Sequence, residues 1–142
     1  MAIKRRGSAV WQGNLKEGRG SLSTESGALA EYPYGFGTRF EGVRGSNPEE
    51  LIGAAHAGCF TMALSLILGE AGLTADRMET TATVSLDKLD WGFAITAIHL
   101  DLNATIPGVD DAQFQELATK AKENCPVSKL LDTKVTLAAA LV

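Results

Sequence analysis

The chain has 142 residues, enough for one domain spanning 1–142 with a real core, and it is 45% apolar and 21% charged, which excludes a disordered chain. Its formal net charge of −4 lacks the basic footprint that nucleic acid binding demands. The basic start MAIKRR is followed by no apolar stretch, so no signal peptide is expected and the chain reads as cytoplasmic.

The first third is rich in turn residues: WQGNLKEGRGSLSTESG reads as short strands joined by turns. FGTRFEG then alternates as a strand does, with Phe36, Thr38 and Phe40 on one face and Gly37, Arg39 and Glu41 on the other. A long helix follows. Asn47 caps it, Pro48 fits its first position, Glu49 and Glu50 complement the positive end of its dipole, and Gly72 closes it. Its apolar run, Leu51 to Leu68, is long enough to raise a membrane span. However, the run contains many small residues together with His56, Thr61 and Ser65, and it is flanked by Glu49, Glu50 and Glu70. A buried soluble helix fits better, and no membrane partner is expected.

TATVSLDKLD and AITAIHLDLNA are two strands around the turn LDWGF, and Ile98, Leu100 and Leu102 share a face. DAQFQELATKAKENC is an amphipathic helix using Phe114, Leu117 and Ala121, CPVSKLL starts another at Pro126, and TKVTLAAALV is a last strand. This order gives an α+β fold with antiparallel sheet rather than alternating βα units. On the long helix, Ile52, Ala55, His56, Met62, Ala63 and Leu66 share the Cys59 face, while Ala57, Leu64 and Leu68 lie opposite. One small domain rarely surrounds a helix that is apolar on every side. A homo-oligomer with this helix at its centre follows, and Ala54, Ala55 and Gly58 would let a partner helix approach.

Two cysteines in a reducing compartment point to core packing, a metal site or redox chemistry rather than to a structural disulfide. Cys59 is either a small buried hydrophobe or a nucleophile. A free thiol is only a few per cent thiolate at neutral pH, and a mid-helix position supplies no dipole help, so a nucleophile needs a positive group from elsewhere. Arg39 is the local candidate, against the alternative of a surface arginine. Glu49 would hold such an arginine, or it simply complements the helix dipole. It lies ten residues before Cys59, about 15 Å along a straight helix, so the two meet only if two copies cross antiparallel. Cys125 precedes Pro126 at a helix start, where backbone N–H groups favour a thiolate and make it a good leaving group. The alternative is an inert cap. His56, one turn before Cys59, is a base or a core histidine, and His99 is a surface residue. A zinc set of His56, Cys59, His99 and Cys125 lacks close chelating pairs, so no metal is expected. No phosphate loop or Gly-x-Ser-x-Gly elbow is present.

The motifs STESG, PYGFGTRFEG, NPEELIGAAHAGCFTMALSL, VSLDKLD, FAIT and KENCPVSKLL, in this order over nearly the full length, resemble the OsmC group of the OsmC/Ohr hydroperoxide reductase family. The resemblance implies an OsmC-like fold, an intertwined homodimer in which antiparallel sheets wrap paired central helices. It implies a thiol-dependent peroxidase with Cys59 peroxidatic, Cys125 resolving, and Arg39 and Glu49 as the activating pair. The partners implied are an organic hydroperoxide and an external dithiol, with no cofactor. An apolar wall of Ile52, Met62 and Leu66, with Phe60 or Phe36, would receive the organic part of the substrate. A non-enzymatic redox sensor and a ligand-binding stress protein remain as alternative classes.

Overall fold

The computed structural model describes residues 1–142, and the chain divides into two compact units, Met1–Pro48 and Glu49–Val142. In the first unit β1 (Gly7–Gln12), β2 (Arg19–Thr24) and β3 (Tyr32–Tyr34) form an antiparallel sheet in that order. Trp11 and Tyr34 meet edge to face, with ring centroids 5.6 Å apart. Gly20 lies beneath both rings. A Cβ there would come within 2.4 Å of the Tyr34 ring, so only glycine permits the contact.

The segment expected as a strand around FGTRF is instead a one-turn helix, α1 (Phe36–Phe40). Alternation over five residues also satisfies the i, i+4 spacing of a helix, and local contacts choose the helix. The Phe36 and Phe40 rings pack at 5.0 Å, and the Gly35 backbone N–H donates to Thr38 Oγ1 at 2.8 Å, closing the turn.

In the second unit the long helix α2 runs from Pro48 to Glu70, and Gly72, at φ +74°, ends it as expected. The strands β4 (Arg77–Leu89) and β5 (Gly92–Thr105) form an antiparallel hairpin about Asp90 and Trp91. The helices α3 (Asp111–Asn124) and α4 (Pro126–Leu130) precede β6 (Lys134–Leu141). The sheet order is β4-β5-β6; β4 and β5 pair antiparallel as expected of this α+β fold, whereas β6 pairs parallel to β5. The physical reason is the connection: two helices between β5 and β6 carry the chain back over the sheet, as a parallel pair requires.

One face of this sheet is apolar. Ile98, Leu100, Leu102 and Ala104 of β5 are buried against Phe60, Leu64, Ile67 and Leu68 of α2 and Phe114, Ala118 and Ala121 of α3. The other face carries Glu79, Thr81, Thr83, Asp101 and Asn103, all exposed. Gly53 lets α2 settle on β4, where an added Cβ would lie 3.2 Å from the Ala82 carbonyl oxygen.

Against the sheet, α2 has a buried face and an open one. Gly53, His56, Phe60, Leu64 and Ile67 are covered, whereas Ala54, Ala55, Gly58, Met62, Ser65, Leu66 and Gly69 are exposed. The covered side takes in Leu64 and Leu68 from the residues placed opposite Cys59 and His56 from the Cys59 face, while Ala55, Met62 and Leu66 of that face are left open. The helix is long and apolar enough to cross a membrane by length and composition alone, yet its covered face belongs to this core.

Candidate functional site

The site is built from two helices. Cys59, half-buried on α2, packs at the edge of the core, and Cys125, fully buried, caps the N-terminus of α4. Pro126 fixes this junction. It cannot continue the hydrogen-bond ladder of α3, but it fits the first turn of α4. The Cys125 backbone N–H still bonds back to the Ala121 carbonyl at 2.9 Å, while its own carbonyl accepts from Lys129 N–H at 3.1 Å. One residue thus closes α3 and opens α4, and its thiol is delivered to Cys59.

The two thiols are neighbours although 66 positions separate them. Burial pushes the Cys59 thiol above its ordinary value. Hydrogen bonding to the Cys125 thiol adds to the rise, and the Val127 backbone N–H pulls in the other direction. None of these influences is a positive charge. Both cysteines are free thiols.

His56 is fully buried one turn before Cys59. Its Nε2 lies 2.7 Å from Ser128 Oγ, and its Nδ1 has no hydrogen-bond partner. Burial lowers its pKa, so the ring is held neutral. The core-histidine reading describes Nε2 alone. His99 is half-exposed on β5, with Nδ1 2.5 Å from Thr136 Oγ1 and Nε2 3.3 Å from Asp101.

The other candidates are distributed as follows. Glu49 is buried in the first turn of α2, and Glu50 is exposed. Arg39 belongs to α1, with its guanidinium 5.4 Å from the centroid of the Phe40 ring. Ile52 packs against the core, Met62 and Leu66 stand 76% and 66% exposed on the open face, and Phe36 is part of α1. Phe60 is removed from the apolar wall. It is completely buried between α2 and the sheet and is a core residue. A groove of about 510 Å³, lined by Ala57, Gly58, Thr61, Met62, Ser65, Met78 and Thr80, runs beside α2 and contains neither cysteine. Sequence reasoning missed two groups, the Val127 N–H and Ser128. The signal for Ser128 was its position one turn after Cys125, matching that of His56 before Cys59.

Two neighbouring thiols, one on the N-cap residue of a helix and the other touched by an amide of that same helix, are the equipment of a thiol redox protein. The chain belongs to the OsmC family, whose signature, described as "OsmC-like protein", matches residues 41–139. It is 58% identical over 137 residues to peroxiredoxin OsmC of Escherichia coli (strain K12), covering 96% of each chain. It is 32% identical over 107 residues to the organic hydroperoxide resistance protein of Xanthomonas axonopodis pv. citri, covering 68% of this chain and 70% of that one. Its fold is similar to the crystal structure of the organic hydroperoxide resistance protein OhrB of Bacillus subtilis, with a TM-score of 0.71, 28% identity, and coverage of 96% and 98% of the two chains.

Proposed function

We propose that this chain is a cysteine-based hydroperoxide reductase that converts ROOH to ROH and acts in defence against oxidative stress. The observation that carries the reading is the apposition of Cys59 and Cys125 in a chain of this family. A Cys59 thiolate attacks the terminal oxygen of the hydroperoxide, ROH leaves, and Cys59 becomes a sulfenic acid. Cys125 then attacks that sulfur, water leaves, and a disulfide remains. An external dithiol restores both thiols by exchange.

The first step needs an anion. Burial and the Cys125 thiol act against it, and the Val127 N–H is the one opposing influence within the thiol cradle. A positive group must therefore complete the site when it works. We assign that role to Arg39, whose guanidinium would also stabilise charge growing across the O–O bond. Glu49 is the proposed orienting carboxylate, in preference to Glu50, because it is the buried one of the pair. It stands about 15 Å from Cys59 along α2, so in this reading Glu49 of one copy serves Cys59 of another.

A homodimer through the open face of α2 is part of the same proposal. Gly58 weakens a helix interior by about 1 kcal/mol relative to alanine. Nothing inside the chain requires it, since an added Cβ would meet no atom within 4 Å. A closely approaching second helix supplies the missing reason. The two units would then form one OsmC-like domain over 1–142, working in the cytoplasm. Ile52, Met62, Leu66 and Phe36 are the proposed wall for the organic group.

The test is intact-mass spectrometry after one equivalent of an organic hydroperoxide. A two-hydrogen loss mapped to a 59–125 link is expected, and Cys59→Ser should abolish turnover. Turnover retained by Cys59→Ser would end the assignment. Repeated consumption of hydroperoxide with a dithiol present separates this enzyme from a sensor that oxidises once.

A further inference from the structure

We infer that His56 is a positioning residue for disulfide closure: through Ser128 it holds the first turn of α4 against α2, so that the Cys125 sulfur faces Cys59 after oxidation. This inference rests on the hydroperoxide reductase reading and extends it to a residue outside the thiol pair.

Three observations carry it. First, the tie runs alongside the sulfur pair. His56 precedes Cys59 by three residues on α2, and Ser128 follows Cys125 by three on α4. Three residues are just under one helical turn, about 4.5 Å of rise on α2. The contact between His56 Nε2 and Ser128 Oγ at 2.7 Å and the contact between the thiols are thus two cross-links between the same pair of helices. Two cross-links fix an angle that one leaves free.

Second, α4 cannot hold its own position. It has five residues, far below the length at which a helix is stable alone, so tertiary contacts must orient it. Val127 and Leu131 lie partly buried against the core and give α4 apolar anchorage, which is non-directional. The hydrogen bond is directional and resists rotation.

Third, His56 is a costly way to fill space. It is fully buried with Nδ1 unpartnered, a loss that leucine would not incur. What a histidine contributes here is the direction of its Nε2 contact.

The chemistry makes the angle matter. In the sulfenic acid the Cys59 sulfur bears a hydroxyl. Cys125 must attack that sulfur in line with the departing oxygen, forming the S–S bond as the S–O bond breaks and the Cys125 proton leaves with hydroxide as water. A second hydroperoxide competes, giving ROH and the sulfinic acid of Cys59. The ratio of disulfide to sulfinic acid therefore reports how well Cys125 is presented, whatever the rate of the first oxidation.

The experiment treats the reduced full-length protein with graded cumene hydroperoxide, without a reductant, and reads the two products by intact mass. Ser128→Ala, which removes one oxygen from a half-buried position, should lower the disulfide-to-sulfinic ratio by about fivefold, the scale of one neutral hydrogen bond. His56→Leu should do the same, and the double variant should fall no further than either. His56→Gln, whose amide reaches the Nε2 position, should keep the ratio within about twofold of wild type, as one restored hydrogen bond requires. A wild-type ratio in Ser128→Ala would overturn the inference while leaving the hydroperoxide reductase reading standing. If the wild-type protein gives neither product, both fall.

Discussion

Oxidation of the thiol pair should stabilise the fold by a calculable amount. Linking residues 66 positions apart removes denatured-chain entropy worth about 4 kcal/mol at 25 °C in the loop-closure account. That gain survives only if bond formation does not distort the native state. Cys59 and Cys125 already interact in the reduced protein, and Cys125 sits at a helix junction, so little backbone movement is needed. The perturbation is one equivalent of organic hydroperoxide, and the assay is equilibrium urea unfolding of oxidised and reduced protein at one protein concentration. With an m-value near 2 kcal/mol/M, a gain of about 4 kcal/mol moves the midpoint by about 2 M. Cys125→Ser, which cannot close the loop, should show no such gain. If oxidised wild-type protein has lost two hydrogens yet unfolds at the reduced midpoint, the sulfurs were drawn together against the packing, and the apposition argument fails.

Arg39→Ala should move the Cys59 thiolate titration to higher pH and slow hydroperoxide consumption at neutral pH, about tenfold for each pKa unit lost. An unchanged titration would make Arg39 structural. Gly58→Leu should leave the fold intact by circular dichroism, because its surroundings are open within one chain, but yield monomers in sedimentation, because in the proposed dimer a second helix would crowd it. A dimer of unchanged affinity would place the interface elsewhere. His56 also makes a pH prediction. Its lowered native pKa means full stability above the ordinary value of 6.5. As pH falls below 6.5 the unfolded chain takes up the proton first, and stability declines until the native value is passed. Wild-type stability should therefore fall more steeply over that window than that of His56→Gln, by at most about 1.4 kcal/mol per pH unit. Parallel slopes in urea unfolding would mean that His56 titrates freely.

Pro48 and Gly72 bracketed α2 because each answers a local backbone requirement, and Pro126 marked α4 for the same reason. FGTRF misled because five residues cannot separate a period of two from one of 3.6, and the deciding contacts, Phe36 on Phe40 and Gly35 on Thr38, are set by side-chain rotamers. The direction of β6 was legible in principle, since two helices lie between it and β5, but pattern alone shows a strand and not its sense. For α2 the pattern was apolar all round, and only the fold tells the Phe60 and Leu64 face from the Met62 and Leu66 face. Cys59 and Cys125 were singled out by type and context. Val127, which touches Cys59, and Ser128, which pairs with His56, were not, because one contributes a backbone N–H that any residue has, and the other a hydroxyl that means nothing until α4 docks.

The reduced site divides its labour in a way that a double variant can expose. Within the cradle of α2 and α4, burial and the Cys125 thiol hold Cys59 protonated and the Val127 N–H works against them. The cradle by itself therefore disfavours the thiolate. Generation falls to a cation, assigned to Arg39, and capture to the presentation of Cys125, assigned to the His56–Ser128 tie. Steps governed by separate contacts combine independently. The variant carrying both Arg39→Ala and Ser128→Ala should consume hydroperoxide as slowly as Arg39→Ala and partition its product as Ser128→Ala does, each effect retained in full. Stopped-flow consumption and intact-mass partition measure the two on the same sample. A partition that returns to the wild-type ratio when Arg39 is removed would show that the charge orients the oxidised sulfur as well, and that activation and closure are one geometry rather than two.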